Sequence, residues 1–132
     1  IINSVEFENN TNEVVNLINE EAKIISPKCI YLIGISQGGT ICINAGLNLK
    51  FKIKNIICID TIFLHTYYKY NPFKLQSFNV LISSKDEIYN PMFQKHCYSL
   101  LKSYKNEVNI FTRDNYHCEN SDSIVKFISK FI

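Results

Sequence analysis

Three of the four glycines in this 132-residue chain, Gly34, Gly38 and Gly39, fall within six residues. This cluster constrains the fold more than any other feature, because glycine is used where a Cβ would obstruct the backbone or a close neighbour. Just before it, Cys29-Ile-Tyr-Leu-Ile-Gly-Ile35 is a short apolar run rich in β-branched residues. It reads as a strand over 29–35, buried on both faces of a parallel sheet. Just after it, Ile41, Ala45 and Leu49 recur at four-residue spacing, which predicts a helix over 37–49 that starts at the turn.

The rest of the chain extends the alternation. Asn10 with Glu13 forms a capping-box pattern, and Val14, Val15, Ile18, Ala22 and Ile25 follow at helical spacing up to Pro27, so a first helix is expected over 11–25. Strands are expected at 56–59, ending at Asp60, at 78–82 and at 108–111. Asn90-Pro91 caps a helix over 91–104 whose apolar face is Phe93, Cys97, Leu100 and Tyr104. Ser121 or a neighbour caps a last helix bearing Ile124, Phe127, Ile128 and Phe131. Residues 61–78, with Phe63, Tyr67, Tyr68, Tyr70, Phe73, Phe78 and Pro72, lack a period and read as an irregular excursion. Strands alternating with helices predict one α/β domain over 1–132, with about four parallel strands and helices on both faces.

Composition narrows the function classes. With 46% hydrophobic and 20% charged residues, the chain can bury a core. The net charge is +2 and the lysines are scattered singly, so nucleic acid and anionic membrane are not expected partners. The 21 Ile, 16 Asn and 13 Lys indicate an A/T-rich coding bias, which lowers the weight of any isolated Asn or Lys. The apolar stretch Cys29–Leu49 is interrupted by Ser36, Gln37, Asn44 and Asn48, so no membrane span is expected. Five cysteines without a C-x-x-C pair or a preceding signal peptide read as reduced thiols in a cytoplasmic protein. His96-Cys97 and His117-Cys118 lack the spaced partners of a tetrahedral zinc site, and no metal or cofactor is expected.

Gly34-Ile-Ser36-Gln-Gly38 has the G-x-S-x-G form of a nucleophile elbow and the strand-turn-helix setting that the form requires. A sharp turn there would present the Ser36 hydroxyl at the strand end, with the Gln37 N–H at the helix start facing an oxyanion. Serine needs a base and an orienting acid. Asp86 follows the third strand and His117 the fourth, and parallel strands bring both to the edge that carries Ser36. His96 lies within a helix and His65 in the aromatic excursion. Glu87, Asp60 and Asp114 are rival acids.

Tyr31-Leu-Ile-Gly-Ile-Ser-Gln-Gly-Gly39 resembles the G-F-S-Q-G-G elbow of the phospholipase/carboxylesterase group of α/β hydrolases, which includes acyl-protein thioesterases. Val80 to Pro91 is similar to the acid segment of that group, and Asn115-Tyr-His117 with the terminal helix to its histidine segment. The resemblance implies a nucleophile at Ser36, an acid at Asp86 and a base at His117, acting on a small acyl ester or thioester without a cofactor. It also implies further strands and an H-G-type loop ahead of the elbow. Only 35 residues precede Ser36, without such a motif, so the chain reads as the C-terminal part of the fold, lacking the N-terminal strands. Strand 29–35 would then lie at a sheet edge and promote self-association. The aromatics of 63–78 would either line an acyl pocket or pack under a loop.

Two other classes fit parts of the pattern. Gly34-x-Ser36-x-x-Gly39 with Asp60 is a degenerate dinucleotide fingerprint, weakened by the Cβ at Ser36. A hydrolase-like binding module without catalysis is the other.

Overall fold

A computed structural model describes residues 3–64 and 75–132. The elements are α1 (Ser4–Glu21), a 3₁₀ turn (Pro27–Cys29), β1 (Tyr31–Ile35), α2 (Gln37–Leu47), β2 (Asn55–Ile59), β3 (Ser77–Ser83), α3 (Pro91–Ser103), β4 (Glu107–Arg113) and α4 (Ser121–Ser129). The four strands form one parallel sheet in the order β1-β2-β3-β4. Helices lie on both faces, as expected from the alternation.

The register explains which face each side chain serves. Leu32, Ile56, Phe78 and Val108 are aligned across the sheet. They point into the larger core with Ile18 of α1, Ile43 and Leu47 of α2, and Cys97, Tyr98 and Leu101 of α3. Ile57, Ile59 and Leu81 point the other way, onto Ile124 and Phe127 of α4. Every residue of β2 is buried. Each of its isoleucines contributes about 1.5–3 kcal/mol by leaving water.

The structure corrects several expectations. The first helix begins at Ser4, not 11, because Asn3 Oδ1 accepts from Val5 N and Glu6 N at 3.1 Å each. Asn10 and Glu13 lie inside that helix, where Phe7 and Thr11 are buried and Asn44 of α2 donates to Thr11 Oγ1 at 3.2 Å. The first strand begins at Tyr31, since Pro27 and Ser26 turn residues 27–29 into the 3₁₀ turn. It is not buried on both faces: as the edge strand, β1 leaves Ile33 39% and Ile35 41% exposed on the face that α4 covers only further along the sheet. On α3 the buried residues are Gln94, Cys97, Tyr98 and Leu101, and Phe93 is exposed, so the buried stripe is rotated from the expected one. Of the 63–78 aromatics, Phe63 and Phe78 are buried in the core, whereas Tyr67, Tyr68, Tyr70 and Phe73 lie outside the described residues.

Parallel pairing sends every strand's C-terminal end to one edge. Ser36 follows β1 directly, Asp60 follows β2, Asp86 lies three residues beyond β3, and His117 four beyond β4. Among the described residues, no helix is long and apolar enough to cross a membrane.

Candidate active site

Ser36 sits at φ 55° and ψ −130°, a positive-φ conformation that costs a residue with a Cβ about 1–3 kcal/mol and persists only where its surroundings enforce it. They do. Ser36 N donates to Ile59 O at 2.9 Å, and Gly39 N donates to Ser36 O at 2.9 Å, clamping the turn from both sides. Two glycines permit the close approach. A Cβ on Gly34 would stand 2.4 Å from Gly39 Cα, and one on Gly39 would stand 2.5 Å from the Thr61 side chain. Gly38 differs: a Cβ there would meet nothing within 4 Å, and the positive φ in this turn belongs to the serine and not to a glycine.

The Ser36 hydroxyl is 2.8 Å from His117 Nε2, and His117 Nδ1 is 2.8 Å from Asp86 Oδ2. With the proton on Nδ1, the imidazole donates to the carboxylate and accepts the serine hydroxyl's hydrogen bond. The Asp86 side chain is fully buried and that of His117 nearly so. Asp86 is held by more than the histidine. Its Oδ1 accepts from Ile88 N at 2.9 Å and Tyr89 N at 2.8 Å, and its Oδ2 accepts from Gln94 Nε2 at 3.2 Å. Gln94 Nε2 also donates to Tyr89 O at 2.8 Å, which fixes the amide and leaves Gln94 Oε1 buried without a partner. An orphaned buried acceptor costs about 1–3 kcal/mol, a cost the fold bears beside the carboxylate that holds His117.

Tyr89 packs edge-on against the imidazole, with ring centroids 5.5 Å apart. Burial and the nearby Asp86 and Cys118 push its phenol up, while the neighbouring Ser36 side chain acts in the opposite direction. Sequence reasoning missed Tyr89, although it stands three residues after Asp86. Gln37 is exposed and is the first residue of α2, so its N–H has no acceptor within the helix and lies directly after Ser36.

The other candidates are placed elsewhere. Asp114 is exposed and bonded to Ser84 Oγ at 3.0 Å, with Lys85 Nζ at 3.7 Å. Glu87 and His96 are exposed, and His65 lies outside the described residues. Asp60, the ribose-binding acid of the dinucleotide alternative, is fully buried and already accepts from Ser83, Arg113 and Cys118. The five cysteines are free thiols. Burial, then Asp60 and Asp86, push the Cys118 thiol up, opposed by Arg113. Donor atoms of Asp60, His117 and Cys118 fall within 4.8 Å of one another, and those of Asp60 and His117 already serve the hydrogen bonds above.

A sequence model of the family described as Phospholipase/Carboxylesterase matches residues 3–132. The fold is similar to that of SOBER1 from Arabidopsis thaliana, with 14% identity and a TM-score of 0.84 over 99% of this chain and 65% of that one. It is also similar to the Bacillus cereus carboxylesterase, with 16% identity and a TM-score of 0.80 over 99% of this chain and 63% of that one. The chain thus spans less than two-thirds of the length of either structure. No curated protein sequence matches it.

Proposed function

This chain belongs to the phospholipase/carboxylesterase family of α/β hydrolases, and on that premise we propose that it carries the serine-hydrolase machinery for small carboxylic esters or thioesters. The observation that carries the reading is the unbroken pair of 2.8 Å hydrogen bonds from Ser36 Oγ through the His117 ring to Asp86 Oδ2. Nothing else in the described residues requires a buried carboxylate to fix a histidine against a strained serine.

The chemistry follows from those atoms. His117 Nε2 takes the proton as Ser36 Oγ bonds to the acyl carbon, and the carbonyl oxygen becomes the oxyanion that the Gln37 N–H is set to receive. His117 then gives that proton to the leaving alcohol or thiol as its bond to carbon breaks. Water repeats the cycle on the acyl-serine, returning acid and free Ser36. Asp86 keeps the proton on Nδ1 throughout and favours the imidazolium as it forms. The mechanism needs no cofactor.

The direct test is covalent labelling with a fluorophosphonate. Ser36 is expected to label and the Ser36→Ala variant to remain unlabelled. Undiminished labelling of a folded Ser36→Ala variant overturns the assignment, and an inert parent chain favours a binding module that keeps the hydrolase fold.

A further inference from the structure

The buried carboxylate at the end of β2 takes no part in that mechanism, yet it is bonded to the segments that do. Asp60 is fully buried at φ 48°, a second positive-φ residue at the same sheet edge as Ser36. Its Oδ1 accepts from Ser83 N at 3.1 Å and Ser83 Oγ at 2.7 Å. Its Oδ2 accepts from Arg113 Nη2 at 3.2 Å and from Cys118 N, the amide directly after His117, at 2.7 Å. Arg113 also donates through Nε to Ser83 Oγ at 2.8 Å and through Nη1 to Asn120 O at 3.3 Å. The ion pair therefore ties the ends of β2, β3 and β4 to the segment that directly follows His117.

That loop needs an external hold. Cys118 and Asn120 have φ of 53° and 60°, so two of the three residues after His117 are in a conformation unfavourable for side chains with a Cβ. One residue before Asp60, Ile59 O accepts the Ser36 N–H. Residues 59 and 60 thus grip the serine turn and the histidine loop together. A buried ion pair is weak evidence for stability, because apolar residues of similar volume often serve as well. Its placement points instead to geometry.

We propose that Asp60, with Arg113 as its counter-charge, is the positioning residue that holds His117 within hydrogen-bonding reach of Ser36. The proposal rests on the serine-hydrolase reading for its kinetic consequence but not for its structural one. All four partners of the carboxylate are donors, so Asp60→Asn must turn its own NH₂ toward either the Ser83 pair or the Arg113 and Cys118 pair. One grip is lost at nearly constant volume.

The experiment compares the parent with Asp60→Asn, Arg113→Lys and Ser83→Ala on an activated ester, with the active fraction counted by fluorophosphonate. Displacing a reacting group by about 1 Å costs on the order of 100-fold, so kcat per labelled site is expected to fall roughly 100-fold in Asp60→Asn with KM within about twofold. Smaller falls are expected in the other two, which serve if Asp60→Asn does not fold. The NMR resonance of the His117 Nδ1 proton, seen without turnover, is expected to broaden or vanish in Asp60→Asn while the fold's amide spectrum persists. An unchanged Nδ1 resonance, an unchanged kcat, or a loss accounted for wholly by fewer labelled sites overturns the proposal. If the parent itself does not label, the hydrolase reading fails and the Nδ1 resonance still decides the positioning role.

Discussion

Asp86 and Asp114 lie on either side of His117's strand in sequence, and their surroundings separate them. Asp86 is buried with four donors, whereas Asp114 is exposed between Ser84 and Lys85. Asp86→Asn is expected to lower turnover by about 10⁴-fold through loss of the tautomer, and Asp114→Asn to leave it within about twofold; steady-state kinetics of the pair decides. Burial also shapes the thiols. It pushes Cys42 up to about 11 from an ordinary 9.0. The unfolded chain loses this proton near pH 9 while the folded chain keeps it, so the folded state binds more protons between those values and stability falls as pH rises through them. Urea unfolding at pH 8.5 and 10.5 is expected to show that fall, and Cys42→Ala to make it shallower. That Ser36, Asp86 and His117 come to one sheet edge was legible from motif, strand ends and chain order, but which of Asp86, Glu87, Asp60 and Asp114 faces His117 was not. Asp60 was legible as the end of a strand and as a rival acid but not as an anchor of the histidine loop, because Ser83, Arg113 and Cys118 lie 23, 53 and 58 residues away in sequence.

Elements differ in how far local pattern controls them. The serine turn is the most demanding, since β1 and α2 meet through glycines. Gly34→Ala drives its methyl into Gly39 Cα, where only backbone movement gives relief, whereas Gly38→Ala points into open space. Gly34→Ala is therefore expected to cost about 1–3 kcal/mol and to slow fluorophosphonate labelling, with Gly38→Ala near the parent in both. Helix α1 is the opposite case. Its start depends on a single side chain, and Asn3→Ala is expected to cost about 1 kcal/mol in thermal or urea unfolding without changing labelling. The Asn10-Glu13 pattern was misleading because a capping box is a local signal. What extends α1 back to Ser4 is the Asn3 cap together with burial of Phe7 and Thr11, which apolar periodicity from Val14 onward does not reveal.

At the scale of the molecule, β1 is an edge strand with an apolar sequence, and neither Pro nor Lys interrupts Tyr31–Ile35 to block pairing with another chain. We expect the 132-residue chain to sediment above monomer mass in a concentration-dependent way, and Ile33→Lys to return it to monomer. The order of strands and helices, the tight strand-to-helix turn at Ser36 and the partial hydrolase architecture were determined by the sequence itself, because apolar period, glycine placement and proline are local constraints that act whatever the rest of the chain does. The tertiary structure alone decided which carboxylate faces His117, which face of β1 stays wet, and that Asp60 binds three strand ends together. Those outcomes depend on burial and hydrogen-bond geometry between residues remote in sequence, and they come into being only when the parallel sheet brings its ends to a common edge.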